Sequence, residues 1–175
     1  MHDWFTLHLQ LRIPYLPTPI EVVDKMLELV HPTPNDVLFD LGCGDGRIVI
    51  MAVLKYGCVG VGVDINEKRL YLAMKNVYER DVPRDRIIFL HGDLFSIDLR
   101  RASIVTLYLT PSALKVLKRK LEMELCDGAR VVSHDYEVPG WKPVEVEEVL
   151  TESHVHILYL YEMERPKRER LKRPF

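Results

Sequence analysis

Apolar and polar positions along this chain fall into two rhythms that alternate. Short apolar runs of strand length, VLFDL (37–41), CVGVGVD (58–64), RIIFL (86–90), SIVTLYL (103–109) and RVVS (130–133), are separated by longer segments. Between the first two lies RIVIMAVLKYG (47–57). Its length, its lack of internal turn residues and Gly57 as a terminal cap predict a helix, although Ile48, Val49 and Ile50 would also suit a strand. Leu70, Ala73, Met74, Val77 and Tyr78 keep the helical i, i+3, i+4 spacing, with Asn66 placed to cap and Pro83 past the end. Thr110-Pro111 opens a further helix carrying Leu114, Leu117 and Leu121 on one face. Upstream, Thr18-Pro19-Ile20-Glu21 reads as a capping box ahead of a helix bearing Val22, Val23, Met26, Leu27 and Val30. Strands alternating with helices predict an α/β fold, a doubly wound and mostly parallel sheet. After Ser133 there is no room for another full helix, so VEVEEVL (144–150) and VHILYLY (155–161) read as a closing hairpin. Its second strand is apolar on both faces and belongs inside the sheet.

Composition narrows the picture only a little. At 175 residues the chain fits one domain, 1–164, in which 1–34 form an amino-terminal segment and helix; 165–175 is a charged tail with no apolar period, expected to be disordered. A formal net charge of -2 supplies no global field for nucleic acid. Cys43, Cys58 and Cys126 form no CxxC pair and read as thiols of a reducing compartment. The opening MHDWFTLHLQLRIP is a poor signal peptide, and no apolar run approaches a membrane span. A cytoplasmic protein is expected.

The chemistry concentrates where strands end. Ligands of doubly wound sheets lie beyond the carboxyl ends of the strands. Those ends carry Asp40 with the turn Gly42, Gly44, Gly46; then Asp64; then His91-Gly92-Asp93; then Tyr108; then Ser133-His134-Asp135. A phosphate cradle wants glycines with Lys or Arg, and here Arg47 alone is basic and no GK[ST] follows. The dinucleotide fingerprint G-x-G-x-x-G is not met either, since the spacing is G-x-G-x-G. Asp64 stands at the end of the second strand, where a carboxylate can hold both ribose hydroxyls. Asp45 or Asp40 is placed to pair with a cationic group. These features describe a nucleoside ligand with little negative charge, and S-adenosyl-L-methionine fits.

At this point DLGCGDGR (40–47), GVD (62–64) and GD (92–93) resemble the first three motifs of class I S-adenosylmethionine-dependent methyltransferases. PYLPTP (14–19), TLYL (106–109) and RVVSHDYEVPGW (130–141) are further similar to the small archaeal-type protein-lysine methyltransferases, over roughly residues 13–161. The resemblance implies a seven-stranded Rossmann-like methyltransferase sheet with an antiparallel strand beside the last parallel one. It implies cofactor contacts at Gly42, Gly44 and Gly46, at Asp40 and Asp45 for the methionine end, at Asp64 for the ribose, and at Asp93 and Leu94 for the adenine. The [DN]-P-P-[YF] tetrapeptide of amide- and base-modifying relatives is replaced by LYLT, which weakens those readings. Tyr15 and Tyr108 are expected to line a lysine channel, with Asp135 beside them. A dedicated base is optional, because desolvation next to a sulfonium already lowers the amine's pKa.

The implied reaction is methyl transfer to the ε-amine of lysine in protein substrates. Two alternatives remain: an RNA or small-molecule methyltransferase on the same fold, or a non-catalytic S-adenosylmethionine binder. The net charge and the lack of an appended RNA-binding domain count against RNA, and oligomeric state is not readable. His134, His154 and His156 invite a metal reading, but no fourth ligand has the usual spacing, so no metal is expected. Trp141 reads equally as a lid over the pocket or a plug under the hairpin.

Overall fold

The computed structural model describes residues 14–164; the expectation for the charged tail lies outside them. In chain order the elements are α1 (Ile20–Val30), β1 (Val37–Leu41), α2 (Arg47–Tyr56), β2 (Val59–Asp64), α3 (Glu67–Glu79), β3 (Ile87–His91), β4 (Ile104–Leu107), α4 (Pro111–Glu124), β5 (Arg130–His134), β6 (Glu145–Leu150) and β7 (Val155–Glu162). One seven-stranded sheet has the order β3-β2-β1-β4-β5-β7-β6. Strands β1 to β5 pair in parallel, and β7 pairs antiparallel with both β5 and β6. The hairpin and the interior place of its second strand are as the pattern predicts. Strand order reverses between β1 and β4, and the chain leaves these two strands towards opposite faces, α2 on one and α4 on the other, which opens a crevice at their carboxyl ends.

Alternation along the strands divides the core between two faces. Phe39, Leu41 and Val131 pack with Leu114, Leu117 and Leu121 of α4, whereas Leu38 and Val132 pack with Val22, Val23 and Met26 of α1 and with Val49 of α2. Each such fully buried aliphatic side chain contributes about 1.5–3 kcal/mol.

The local signals for the later helices act as the sequence predicts. Asn66 accepts from the backbone N–H of Lys68 and Arg69, Thr110 accepts from that of Ala113 ahead of Pro111, and Gly57 ends α2 in the left-handed conformation. The first helix differs. Its N-cap is Pro19, which has no side-chain cap bond, so the capping box predicted at Thr18 is not formed. Thr18 is spent elsewhere: its carbonyl accepts from Arg47 Nη1 at 2.8 Å, and its hydroxyl lies 3.4 Å from Nδ1 of His134. Two tertiary contacts thus replace one local one.

Candidate active site

The crevice is a cavity of about 700 Å³, counting the part open to solvent. Its floor is the turn after β1. Gly42, Gly44 and Gly46 all have positive φ, and the N–H groups of Gly42 and Cys43 donate to Val63 O at 2.8 and 2.9 Å, which binds the turn to β2. Gly44 is under the tightest constraint: a Cβ there would lie 2.3 Å from Cε2 of Tyr15. Of the three glycines Gly42 lines the cavity, whereas Gly44 is covered by the Tyr15 ring and Gly46 packs towards Phe89 and Ala73.

Two buried carboxylates flank it. Asp40 accepts from Thr106 Oγ1 at 2.8 Å, and burial beside Asp64 and Asp45 pushes its pKa up to about 7. It therefore sits poised for a cationic partner, whose charge would restore its ionised form. Asp64 Oδ2 accepts from Gly44 N at 2.9 Å, Oδ1 accepts from Asn66 N at 2.8 Å, and Arg69 lies 3.7 Å away. Bracing of the glycine turn thus falls to Asp64 and not to Asp40. Each Asp64 oxygen keeps a second lone pair, enough to take two hydroxyls as well.

The remaining sequence-predicted residues divide. Asp45 is gripped by Arg47, with Nη2 to Oδ2 at 2.6 Å, which holds its carboxyl below the usual range and leaves it a weak claim on a ligand cation. Asp93 turns its carboxylate to Phe95 N and Ser96 Oγ, shaping the turn that carries Leu94; Leu94 and Gly92 line the cavity. Tyr15 lies against the glycine turn with the Arg69 guanidinium 4.4 Å above its ring, on the Asp64 side. Tyr108 stands on the opposite wall. Its hydroxyl donates to Asp135 Oδ2 at 3.1 Å, and that carboxylate together with burial raises the tyrosine's pKa to about 12. Trp141 is a plug, edge-on to Tyr161 and donating to Glu122 Oε1 at 2.8 Å.

Arg69 gives no motif signal, and Thr106 is legible only as part of TLYL, not as the partner of Asp40. His134 and His156, 22 residues apart, meet at 2.9 Å between Nε2 and Nδ1 because β5 and β7 pair antiparallel. Their pairing was recoverable only from the hairpin register.

The turn brings Gly42 to the cavity, one buried acid awaits a cation, and a second acid keeps spare acceptors at the second strand end. Among the described residues lining the cavity, both guanidiniums already face carboxylates. The set fits S-adenosylmethionine and not a dinucleotide. This is the site of a doubly wound methyltransferase. The chain belongs to the ANTKMT methyltransferase domain family, whose model matches residues 40–145. It is 42% identical over 150 residues to a protein-lysine N-methyltransferase of Saccharolobus islandicus, covering 85% of this chain and 92% of that one. It is 34% identical over 138 residues to the adenine nucleotide translocase lysine N-methyltransferase of Mus musculus, covering 79% of this chain and 59% of the mouse protein's length. Among solved structures, an RNA methyltransferase from Salinibacter ruber in complex with S-adenosyl-L-homocysteine superposes with a TM-score of 0.77 at 42% identity, covering 87% of this chain and 97% of that one. Among the described residues, no helix is long and apolar enough to cross a membrane.

Proposed function

We propose that this protein transfers a methyl group from S-adenosyl-L-methionine to the ε-amine of lysine in protein substrates. The observation that carries the reading is the charge of the cavity wall. The wall carries Tyr108, whose hydroxyl donates to Asp135 behind it, and the cavity's two guanidiniums, Arg47 and Arg69, each already face a carboxylate. A cationic side chain suits such a wall. A polyanion, which leans on unpaired Lys and Arg, does not. The names of the archaeal and mouse relatives support the same acceptor.

Bound S-adenosylmethionine supplies a methyl group on a sulfonium, an electrophile with its leaving group built in. The chain's own residues do the rest by position. Asp64 holds the ribose hydroxyls, Asp40 faces the cationic end, and Leu94 covers the base. Tyr108 and Asp135 orient the acceptor nitrogen, which must come within about 3–3.5 Å of the methyl carbon. Lysine, with an ordinary pKa of about 10.4, must be neutral at the moment of transfer, so turnover rises from about pH 7 towards 9. A reducing, cytoplasmic setting accords with three free cysteines, of which Cys43 and Cys58 are buried with their thiol pKa values pushed up.

The test is incubation with methyl-labelled S-adenosylmethionine and a cell lysate, followed by protease or ribonuclease and mass spectrometry. Label on lysine that protease digests is the expected result. Label removed by ribonuclease, the outcome for an activity like that of the Salinibacter RNA methyltransferase, overturns the reading.

A further inference from the structure

Behind Tyr108 and Asp135 lies a polar cluster assembled from four separate parts of the chain. The His134 ring stacks on Tyr108, with centroids 3.9 Å apart. Its Nδ1 meets the Thr18 hydroxyl and its Nε2 meets Nδ1 of His156 at 2.9 Å. Asp135 bridges the same pair, with Oδ2 3.4 Å from His134 Nε2 and Oδ1 3.4 Å from His156 Nδ1. Asp135 itself has a φ of 61°, a left-handed conformation that is uncommon outside glycine and is often maintained for function. The edge of β7 holds it there: Asp135 N donates to Ile157 O at 2.7 Å, and Ile157 N donates back to Asp135 Oδ1 at 3.2 Å.

The cluster has a direction. The His134 side chain is wholly buried, whereas that of His156 is 10% exposed, and beyond it the exposed ring of His154 lies 5.8 Å away. One end therefore opens on the cavity through Tyr108 and the other on the surface of the hairpin.

We propose that Asp135, His134 and His156 form the route by which the acceptor lysine loses its proton from the closed site. The proposal rests on the lysine reading above. The ε-ammonium N–H proton passes to the Asp135 carboxylate, leaving the amine its lone pair. The resulting acid O–H passes its proton to the imidazole junction, and His156 releases one proton from its other ring nitrogen to water. One proton moves at each step and no electrons are exchanged. Burial supports this by holding the His134 pKa down, to about 4, so the ring keeps a lone pair at neutral pH. Asp135 touches the acceptor; the two histidines act through it as positioning and relay residues.

The other groups facing the pair do not offer the same path. The pre-helix loop brings Thr18, which does not titrate in water, and the buried face of α1 is Val22, Val23, Met26 and Leu27. From β6, Val149 stands opposite His156. From β4 comes Tyr108, which burial and Asp135 keep protonated, and Tyr159 on β7 is likewise raised. His154, exposed, adds a further imidazole at the outer end.

The test is the pH profile of single-turnover methyl transfer to a lysine-containing protein substrate, from pH 6.5 to 10. His156→Gln retains hydrogen bonding but cannot carry a proton. It is expected to lower the rate about 10²-fold at pH 7, the scale of lost proton-transfer catalysis. The deficit should shrink towards pH 10, where the lysine is already neutral, with the cofactor Kd unchanged, and imidazole in the buffer should partly restore His156→Ala. Asp135→Asn, whose side chain also tolerates the left-handed conformation, provides the same comparison if the histidine variant does not fold. A deficit equal at every pH, or none, overturns the relay while leaving lysine methylation intact. A wild type that labels no lysine overturns both. Zinc retained at one equivalent by the wild type and lost in His156→Gln also overturns the relay, since a metal would then occupy the junction.

Discussion

Asp64 shows how one side chain carries several demands. It braces the glycine turn through Gly44 N, starts the approach to α3 through Asn66 N, and still has acceptor capacity facing the cavity. Its removal is expected to weaken S-adenosylmethionine binding by about 1.5–3 kcal/mol, the range for hydrogen bonds to a charged group. Titration calorimetry on Asp64→Ala checks this, and an unchanged Kd would reduce Asp64 to a brace. Which residues carry acid at the strand ends was legible in the sequence, because the alternation places those ends and the glycines mark the turn. Which of those acids remain free was not. Asp45 is occupied by Arg47 and Asp93 by its own turn, while Asp40 is left with a single threonine donor. Such assignments depend on distances of a few tenths of an ångström between groups that periodicity does not relate.

Among elements, the strands and the later helices were readable, since apolar period, caps and terminal glycines agree there. The predicted edges are off by a residue or so, and β4 ends at Leu107, two residues before the apolar run does, because Tyr108 and Leu109 leave the ladder to line the cavity. The first helix start failed for the tertiary reason given by Thr18. The glycines inside β2 do more than precede Asp64. Gly60 is where α2 presses onto the sheet: a Cβ there would lie 2.4 Å from Cγ1 of Val49 and 2.9 Å from Cγ2 of Val53. Gly60→Ala is therefore expected to cost about 1–3 kcal/mol, the usual range for overpacking a filled core. Urea unfolding measures it. A midpoint equal to that of the wild type would mean that α2 shifts freely, and the close packing would then have no energetic weight.

At the scale of the whole molecule the decisive contacts are the distant ones: Thr18 with His134 across 116 residues, Tyr108 with Asp135 across 27, and His134 with His156 across 22. They bury two titratable groups of opposite preference. Asp40 keeps its proton in the folded chain up to about pH 7 instead of 3.8, so between those values folding takes up a proton and stability falls as pH rises. His134 stays neutral in the folded chain down to about pH 4 instead of 6.5, so over nearly the same window the unfolded chain binds the extra proton and stability falls as pH drops. At about 1.4 kcal/mol per pKa unit, each slope amounts to roughly 3–5 kcal/mol, and the two oppose each other. Without cofactor, the wild type is therefore expected to show nearly constant stability between about pH 4.5 and 6.5, above the range where the depressed carboxyls of Asp36 and Asp45 take up protons. Single variants should expose the hidden slopes. Asp40→Asn leaves the histidine, so stability should decline towards acid; His134→Gln leaves the aspartate, so stability should decline as pH rises. Urea midpoints for the three proteins across that window decide the matter. If both variants stay as flat as the wild type, neither group is titrating against its burial, and the poised state of Asp40 would have to be abandoned.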